Sequence, residues 1–253
     1  MRRIFQTLIL LLLVSAVANL AQASVSQAQR RSGGASVRFV ARQIRESNRR
    51  FRYTIKARYP QAVGAQRDAQ LAKMNQELRR LMVKEVSEFK GYFTEPSERL
   101  GPTGSSYDSS YVVTMATGDL VSIIFYVSTY GEGAAHPNHV TIAFNYDLKA
   151  GKALRLGDLF KPNSNYMRVI SDYSIAALKK ELGPDPDSDW IQSGAGPEEK
   201  NYQSWNVTPK GLTITFDPYQ VASYAEGQHE VVIPLRVLKD LIDPSGPLGK
   251  MRN

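Results

Sequence analysis

The residues best suited to chemistry lie in one short stretch, Tyr130-Gly131-Glu132-Gly133-Ala134-Ala135-His136-Pro137-Asn138-His139. It sets a carboxylate and two imidazoles among residues too small to crowd them, and Gly131 and Gly133 permit positive φ and close backbone approach. A second concentration follows in Asp217-Pro218-Tyr219, with Tyr224, Gly227 and His229 close behind. Glu132, His136 and Asp217 would make an acid/base set if the fold brought them together, a convergence that spacing alone does not determine. His136 and His139 are three apart, a separation that serves a metal when a helix puts both rings on one face. Here Pro137 intervenes and the pattern runs from loop to strand, and His229 joins as a third ligand only if the two regions abut. The imidazoles are therefore expected to be hydrogen-bonded structural groups, with no metal and no cofactor.

Nucleophilic catalysis has little to work with. There is no cysteine, no Gly-x-Ser-x-Gly elbow and no Ser-x-x-Lys motif in a persuasive setting, so the chain is expected not to be an enzyme. Trp205, Tyr219 and Tyr224 either line a recognition surface, as aromatic hot spots do, or staple a loop to its own sheet. The candidate binding residues are Tyr130, Glu132, His136, Asn138, Trp205, Asp217, Tyr219, Tyr224 and His229. Asp185, Asp187 and Asp189 alternate like calcium ligands. Counting from Asp185, however, Trp190 falls where an EF-hand loop needs Gly and Gly196 where it needs Glu, so a solvated connection is expected over residues 184–200. Asn206-Val207-Thr208 matches a glycosylation sequon but abuts a strand and Pro209.

These residues need elements to hold them. Leu212, Ile214 and Phe216 alternate as in a half-buried strand, residues 229–233 alternate likewise, and the eleven residues from Asp217 to Gly227 are too many for a tight hairpin. Pro234 ends the second strand and residues 235–242 have the spacing of a short closing helix. Upstream, residues 37–44 and 51–59 read as two strands joined around Glu46-Ser47-Asn48, with Pro60 stopping the second. Phe51, Tyr53, Ile55 and Ala57 share one face. Residues 65–90 switch to a helical period, with Leu71, Met74, Leu78, Leu81, Met82, Val86 and Phe89 on one side. Residues 111–115 and 120–130 flank a turn at Thr117-Gly118-Asp119, and Val140, Ile142, Phe144 and Tyr146 alternate against polar neighbours. A second long helix is expected over residues 165–182, capped by Asn163 or Ser164 and stopped at Gly183-Pro184. The fold class that follows is α+β, antiparallel sheet packed with two long helices, because short turns rather than crossover helices join the central strands.

The order of strand, aromatic loop, strand, Pro and helix over residues 201–241 resembles the C-terminal segment of the RsiV-like extracellular domains, the ectodomain family of a lysozyme-sensing anti-sigma factor. The Tyr130 to Pro137 stretch resembles the Tyr…Gly-Ala-His-Pro signature of the same family and of the non-catalytic N-terminal module of the peptidoglycan deacetylase PdaC. In this sequence Glu132 stands among the small residues. Tyr59-Pro60 and Asp158-Leu159-Phe160 are further markers, and the resemblance covers about residues 37–242. It implies two intimately joined subregions, an N-terminal module over 37–157 and a C-terminal one over 158–253. It also implies a recognition role with a lysozyme or similar muramidase as partner.

Arg2 and Arg3, an apolar run over residues 8–14 and Ala21-Gln22-Ala23 have the layout of a secretory signal, with cleavage expected after Ala23. The apolar run falls short of the roughly 20 residues a span needs, so no stable membrane span is expected after cleavage and the protein is expected to be exported, periplasmic or extracellular. Residues 24–36 are a Ser, Gln, Arg and Gly lead-in, expected to be disordered. The remaining chain, with no disulfide available, is long enough to build an ordinary core. Of the net charge of +8, residues 24–58 carry +9, and setting Arg2 and Arg3 aside leaves about −3 elsewhere. That asymmetry gives a second partner class, an anionic envelope polymer held by the basic arm, and nucleic acid is not expected. A peptidoglycan-modifying hydrolase is the remaining alternative.

Overall fold

A computed structural model describes residues 36–95, 103–183 and 187–250. The signal expected over residues 1–23, nearly all of the expected lead-in, and Asp185 lie outside the described residues.

Six strands form the first sheet in the order β1 (Phe39–Asn48), β2 (Tyr53–Ala62), β3 (Ser105–Ala116), β4 (Leu120–Tyr130), β5 (Asn138–Asp147) and β6 (Lys152–Ala153). Helix α1 (Ala69–Gly91) lies between β2 and β3 in the chain, and those two strands pair in parallel from Tyr53↔Ser105 to Ala57↔Ser109. The other neighbours in this sheet are antiparallel. The helix begins where Asp68 accepts the Gln70 and Leu71 amides at 2.9 and 3.1 Å. Met74, Leu78, Met82, Val86 and Phe89 are its buried stripe, packed on Tyr53, Ile55, Ala57, Ile123, Phe125 and Tyr146. Fully burying five such side chains stabilises by about 1.5–3 kcal/mol each, before conformational entropy is counted.

Two local expectations change. Both strands extend: β1 continues through Glu46-Ser47-Asn48 to Asn48, and β2 runs through Pro60 to Ala62. The β2–β3 ladder ends at Ala57, so on that edge the amide that Pro60 lacks has no partner to miss. Asn75 receives the strand end instead, accepting from Ala62 N at 2.6 Å and donating to Ala62 O at 3.0 Å.

A second sheet, β7 (Trp205–Thr208), β8 (Gly211–Phe216) and β9 (His229–Ile233), is antiparallel throughout. It packs with α2 (Tyr166–Glu181) and α3 (Ser188–Ala195) around Ile170, Leu178, Ile191, Leu212, Ile214 and Phe216. β8 is not half-buried: all six of its residues are buried, since the strand is central in its sheet and covered on both faces. The N-cap of α2 is Asn165, whose side chain makes no capping bond, and not Asn163 or Ser164, because Asn163 adopts φ 59° and turns the chain ahead of the helix. Gly183, at φ 98°, ends it. Residues 188–195 form α3 where a solvated connection was expected. Asp187 caps it, accepting the Asp189 and Trp190 amides at 3.1 and 3.0 Å, and Ile191 and Ala195 are buried. Two of the three alternating aspartates thus serve a helix start, which eight residues with two strongly apolar side chains did not announce. The closing helix is also shorter than expected, Leu235–Leu238.

The sheets are joined by a buried polar network on the face of β4 and β5 away from α1. Asn145 donates to Trp205 O at 2.8 Å and accepts from Ser122 Oγ at 2.5 Å. Ser122 Oγ in turn accepts Asn206 Nδ2 and Val207 N at 3.0 and 2.9 Å. A register shift between Val113 and Met115 leaves the Thr114 hydroxyl 2.9 Å from Val207 O. Asn206, 1% exposed, is thus an internal strut and no surface sequon. No helix among the described residues is long and apolar enough to cross a membrane.

Candidate functional site

Two loops separated by some ninety residues of chain meet. Tyr224 opens a turn in the β8–β9 loop, and its hydroxyl donates to Pro137 O at 2.9 Å in the β4–β5 loop. Its ring lies on His136, 3.9 Å between centroids and 25° from parallel, with His139 at 6.2 Å and Tyr219 at 5.5 Å. His136 Nδ1 is 2.9 Å from Pro137 O, and since a carbonyl only accepts, Nδ1 carries the proton there. Tyr219 stands at φ 70°, a region costly for a bulky side chain. The turn is held from both sides, by Gln220 N donating to Asp217 O at 3.0 Å and Trp190 Nε1 donating to Tyr219 O at 3.0 Å. Tyr219 as a whole is 54% exposed.

The two carboxylates are engaged elsewhere. Asp217 accepts Thr141 N at 3.0 Å to each oxygen and Thr141 Oγ1 at 2.8 Å, which latches the β8–β9 loop to β5. Burial pushes its carboxyl above the usual range, with the Thr141 donors pulling the other way. Glu132 accepts a fork from Arg52, Nε at 2.9 Å and Nη2 at 2.7 Å, while its own amide donates to Ser105 Oγ at 2.9 Å. Its side chain is 6% exposed, and the bond raises the Arg52 guanidinium further above its ordinary value. Glu132, His136 and Asp217 therefore each answer to a different partner: Arg52, Tyr224 and Thr141.

Trp205 and His229 are internal, 4% and 5% exposed. Trp205 lends its carbonyl to Asn145. His229 Nδ1 sits 3.0 Å from Glu181 Oε1, and its Nε2 is buried with no hydrogen-bond partner among the described residues. Among the described residues no group of three or more His, Asp or Glu is placed to hold a metal.

Two clefts flank the junction. One, of about 610 Å³, lies on the α1 side and takes Tyr130, Glu132 and Asn138 from the sequence candidates. It adds Phe89, expected as helix core, and Glu85, Glu88, Tyr92, Phe93 and Glu95 at the end of α1, which were not among the candidates although an acidic and aromatic run at a helix end was there to be seen. Tyr92 is 84% exposed, and burial followed by the Glu88 charge raises the Glu85 carboxyl. The other cleft, of about 590 Å³, holds His139, Pro218 and Tyr224 against Lys56, Arg58 and Tyr126. Alternation along β2 could have singled out Lys56 and Arg58 as one outward face.

Residues 157–236 match the domain family DUF3298, described as a protein of unknown function. Over 170 residues the chain is 26% identical to the peptidoglycan-N-acetylmuramic acid deacetylase PdaC of Bacillus subtilis, covering 67% of this chain and 36% of that protein. Over 110 residues it is 24% identical to the immunogenic protein MPT64 of Mycobacterium tuberculosis, covering 44% of this chain and 47% of that one. The chain thus spans about a third to a half of the length of these curated relatives. A crystal structure of a DUF3298 family member from Bacteroides fragilis superposes with a TM-score of 0.62 at 20% identity, over 88% of this chain and 99% of that one. One from Pseudomonas aeruginosa does so at 0.59 and 16% identity, over 84% and 96%. The α+β fold is the one these structures share.

Proposed function

We propose that this chain is an exported, non-enzymatic recognition protein of the cell envelope whose partner is a lysozyme or similar muramidase. The partner class rests on the resemblance to RsiV-like extracellular domains, and the envelope setting is supported by the likeness to a protein named as a peptidoglycan deacetylase. The observation that carries the reading is the loop junction, where Tyr224 on His136 fixes two loops and an exposed Tyr219 is held in a costly backbone state by Asp217 and Trp190. Aromatic anchors held before binding lose little entropy on association, which is what a recognition face requires.

Common lysozymes are basic, so an acidic docking surface should steer them. Glu85, Glu88 and Glu95 around Tyr92 offer one, beside the loop that carries Tyr130 and Asn138. Lys56 and Arg58, part of the +9 stretch, face the other side of the sheet, so a positive total charge does not oppose approach to the acidic cleft. The absence of catalysis is supported by the separate engagements of Glu132, His136 and Asp217.

Titration of the mature protein with a basic lysozyme at low ionic strength tests this. Tyr219→Ala and Tyr92→Ala should each weaken binding about tenfold or more, and Glu85→Gln with Glu88→Gln should slow association and reduce its salt dependence. No binding at low ionic strength would sink the partner assignment. Acetate release or glycan cleavage that survives repurification and disappears in Glu132→Ala, His136→Ala or Asp217→Ala would replace recognition with an enzyme.

A further inference from the structure

We infer that the cleft between β2 and the β8–β9 loop is a binding site for an acidic glycan, a sugar chain bearing carboxylates; it shares Tyr224 with the loop junction proposed for a protein partner and takes its charge from Lys56 and Arg58. The ladder registers put its floor in order. Lys56 pairs with Asp108, Asp108 with Ser128 and Ser128 with His139, and in the next row Ser110 pairs with Tyr126. Directly opposed residues share a face, so a row of cation, carboxylate, hydroxyl and imidazole crosses four strands over about 14 Å. Tyr224 and Gln228 of the aromatic loop wall one side and Arg58 stands beside Lys56 on the other, enclosing about 590 Å³.

The mixture of groups selects the ligand. Among the described residues neither Lys56 nor Arg58 belongs to an ion pair, so both are available to a carboxylate. Asp108 in the floor would repel a bare anion, yet it accepts well from sugar hydroxyls, and Ser110, Ser128 and the Tyr126 hydroxyl can donate or accept. The edges of Tyr224 and His139 provide apolar surface for a ring, while their stacking keeps them from collapsing into the cleft. A neutral glycan would leave the cations unused, and a polyanion without sugar rings would meet Asp108 with nothing to offer it.

Calorimetric titration of the mature protein with four polymers tests this: polygalacturonate, soluble uncross-linked peptidoglycan strands, dextran, and poly(glycerol phosphate). At least one of the first two should bind, and the neutral dextran and the ring-free phosphate polymer should not. Lys56→Gln with Arg58→Gln should weaken that binding about tenfold or more. Ser128→Trp, which fills the cleft without altering charge, should do the same. Lys73→Gln with Arg79→Gln, an equal loss of charge on α1, should not. Failure of both acidic glycans to bind, equal binding of dextran or poly(glycerol phosphate), equal weakening by the α1 pair, or indifference to Ser128→Trp would each overturn the assignment. Lysozyme binding by the Lys56→Gln, Arg58→Gln protein should be unaffected, which separates the cationic floor of this cleft from the residues proposed to meet a protein.

Discussion

Asp217 illustrates how a residue chosen for chemistry can serve architecture. Its carboxylate takes three bonds from one threonine and closes the aromatic loop onto β5. Its pKa nevertheless lies above the ordinary value, because burial outweighs those donors. A carboxyl with a higher pKa folded than unfolded favours folding in its protonated form and opposes folding as pH rises through that range. Asp217→Asn keeps an oxygen for Thr141 and removes the charge. The variant should therefore gain stability relative to the parent as pH rises from about 3 to about 7, read from paired thermal melts. A difference that stays constant with pH, or runs the other way, would show that the Thr141 bonds dominate. At the other carboxylate, Arg52→Ala removes the bidentate partner of a nearly buried Glu132. It should lower the melting temperature more than Lys84→Ala, whose pairing with Glu88 is exposed on both sides.

At the scale of elements, the short helix α3 and the aromatic loop support each other. Gln220 Nε2 donates to Gly194 O at 3.0 Å and Asn201 O at 2.9 Å, and Trp190 holds the Tyr219 carbonyl. Gly194 lies so near the Gln220 carbonyl that a β-carbon would overlap it. Gly194→Ala should accordingly cost about 1–3 kcal/mol by forcing helix and loop apart. Tryptophan emission should move to the red as Trp190 loses its seat, and an unchanged spectrum with unchanged stability would refute the coupling. If the loop is the recognition face, partner affinity should fall in the same variant.

For the whole molecule, the question is why two sheets with separate apolar cores should act as one body. Met115 and Leu120 answer in part: they stand on β3 and β4 of the first sheet, yet they pack in the core of the second. The polar network answers the rest, since Ser122, Asn145, the Asn206 Nδ2 group and the Trp205 carbonyl are buried between the sheets and hydrogen-bonded across the seam. Asn145→Leu leaves the Trp205 carbonyl and the Ser122 hydroxyl without their partner and should cost about 2–4 kcal/mol. Denaturant unfolding should show one transition in both proteins, displaced to lower concentration in the variant. Two separated transitions in the parent would mean the sheets fold independently.

Much of this was legible locally. The 3.6-residue stripe from Met74 to Phe89, the alternations of β2, β5 and β8, and the stop at Gly183 follow from neighbours in the chain, so periodicity alone placed them. Periodicity tells which residues share a face, not what covers it. Thr141 and Asn145 are polar neighbours in the β5 alternation, and only the second sheet, built sixty residues later, turned their face into an interior seam. For the same reason β8 became fully buried, Trp205 and His229 went inward, and Lys56 came to stand across a cleft from Tyr224. The parallel pairing of β2 with β3 and the stacking of His136 on Tyr224 depend on contacts between distant residues, whose loop-closure entropy is repaid only when the whole fold assembles. The sequence alone determined the two long helices, most of the strands and the two loops rich in functional groups; the tertiary structure added α3 and decided which of those groups face a partner and which hold the fold.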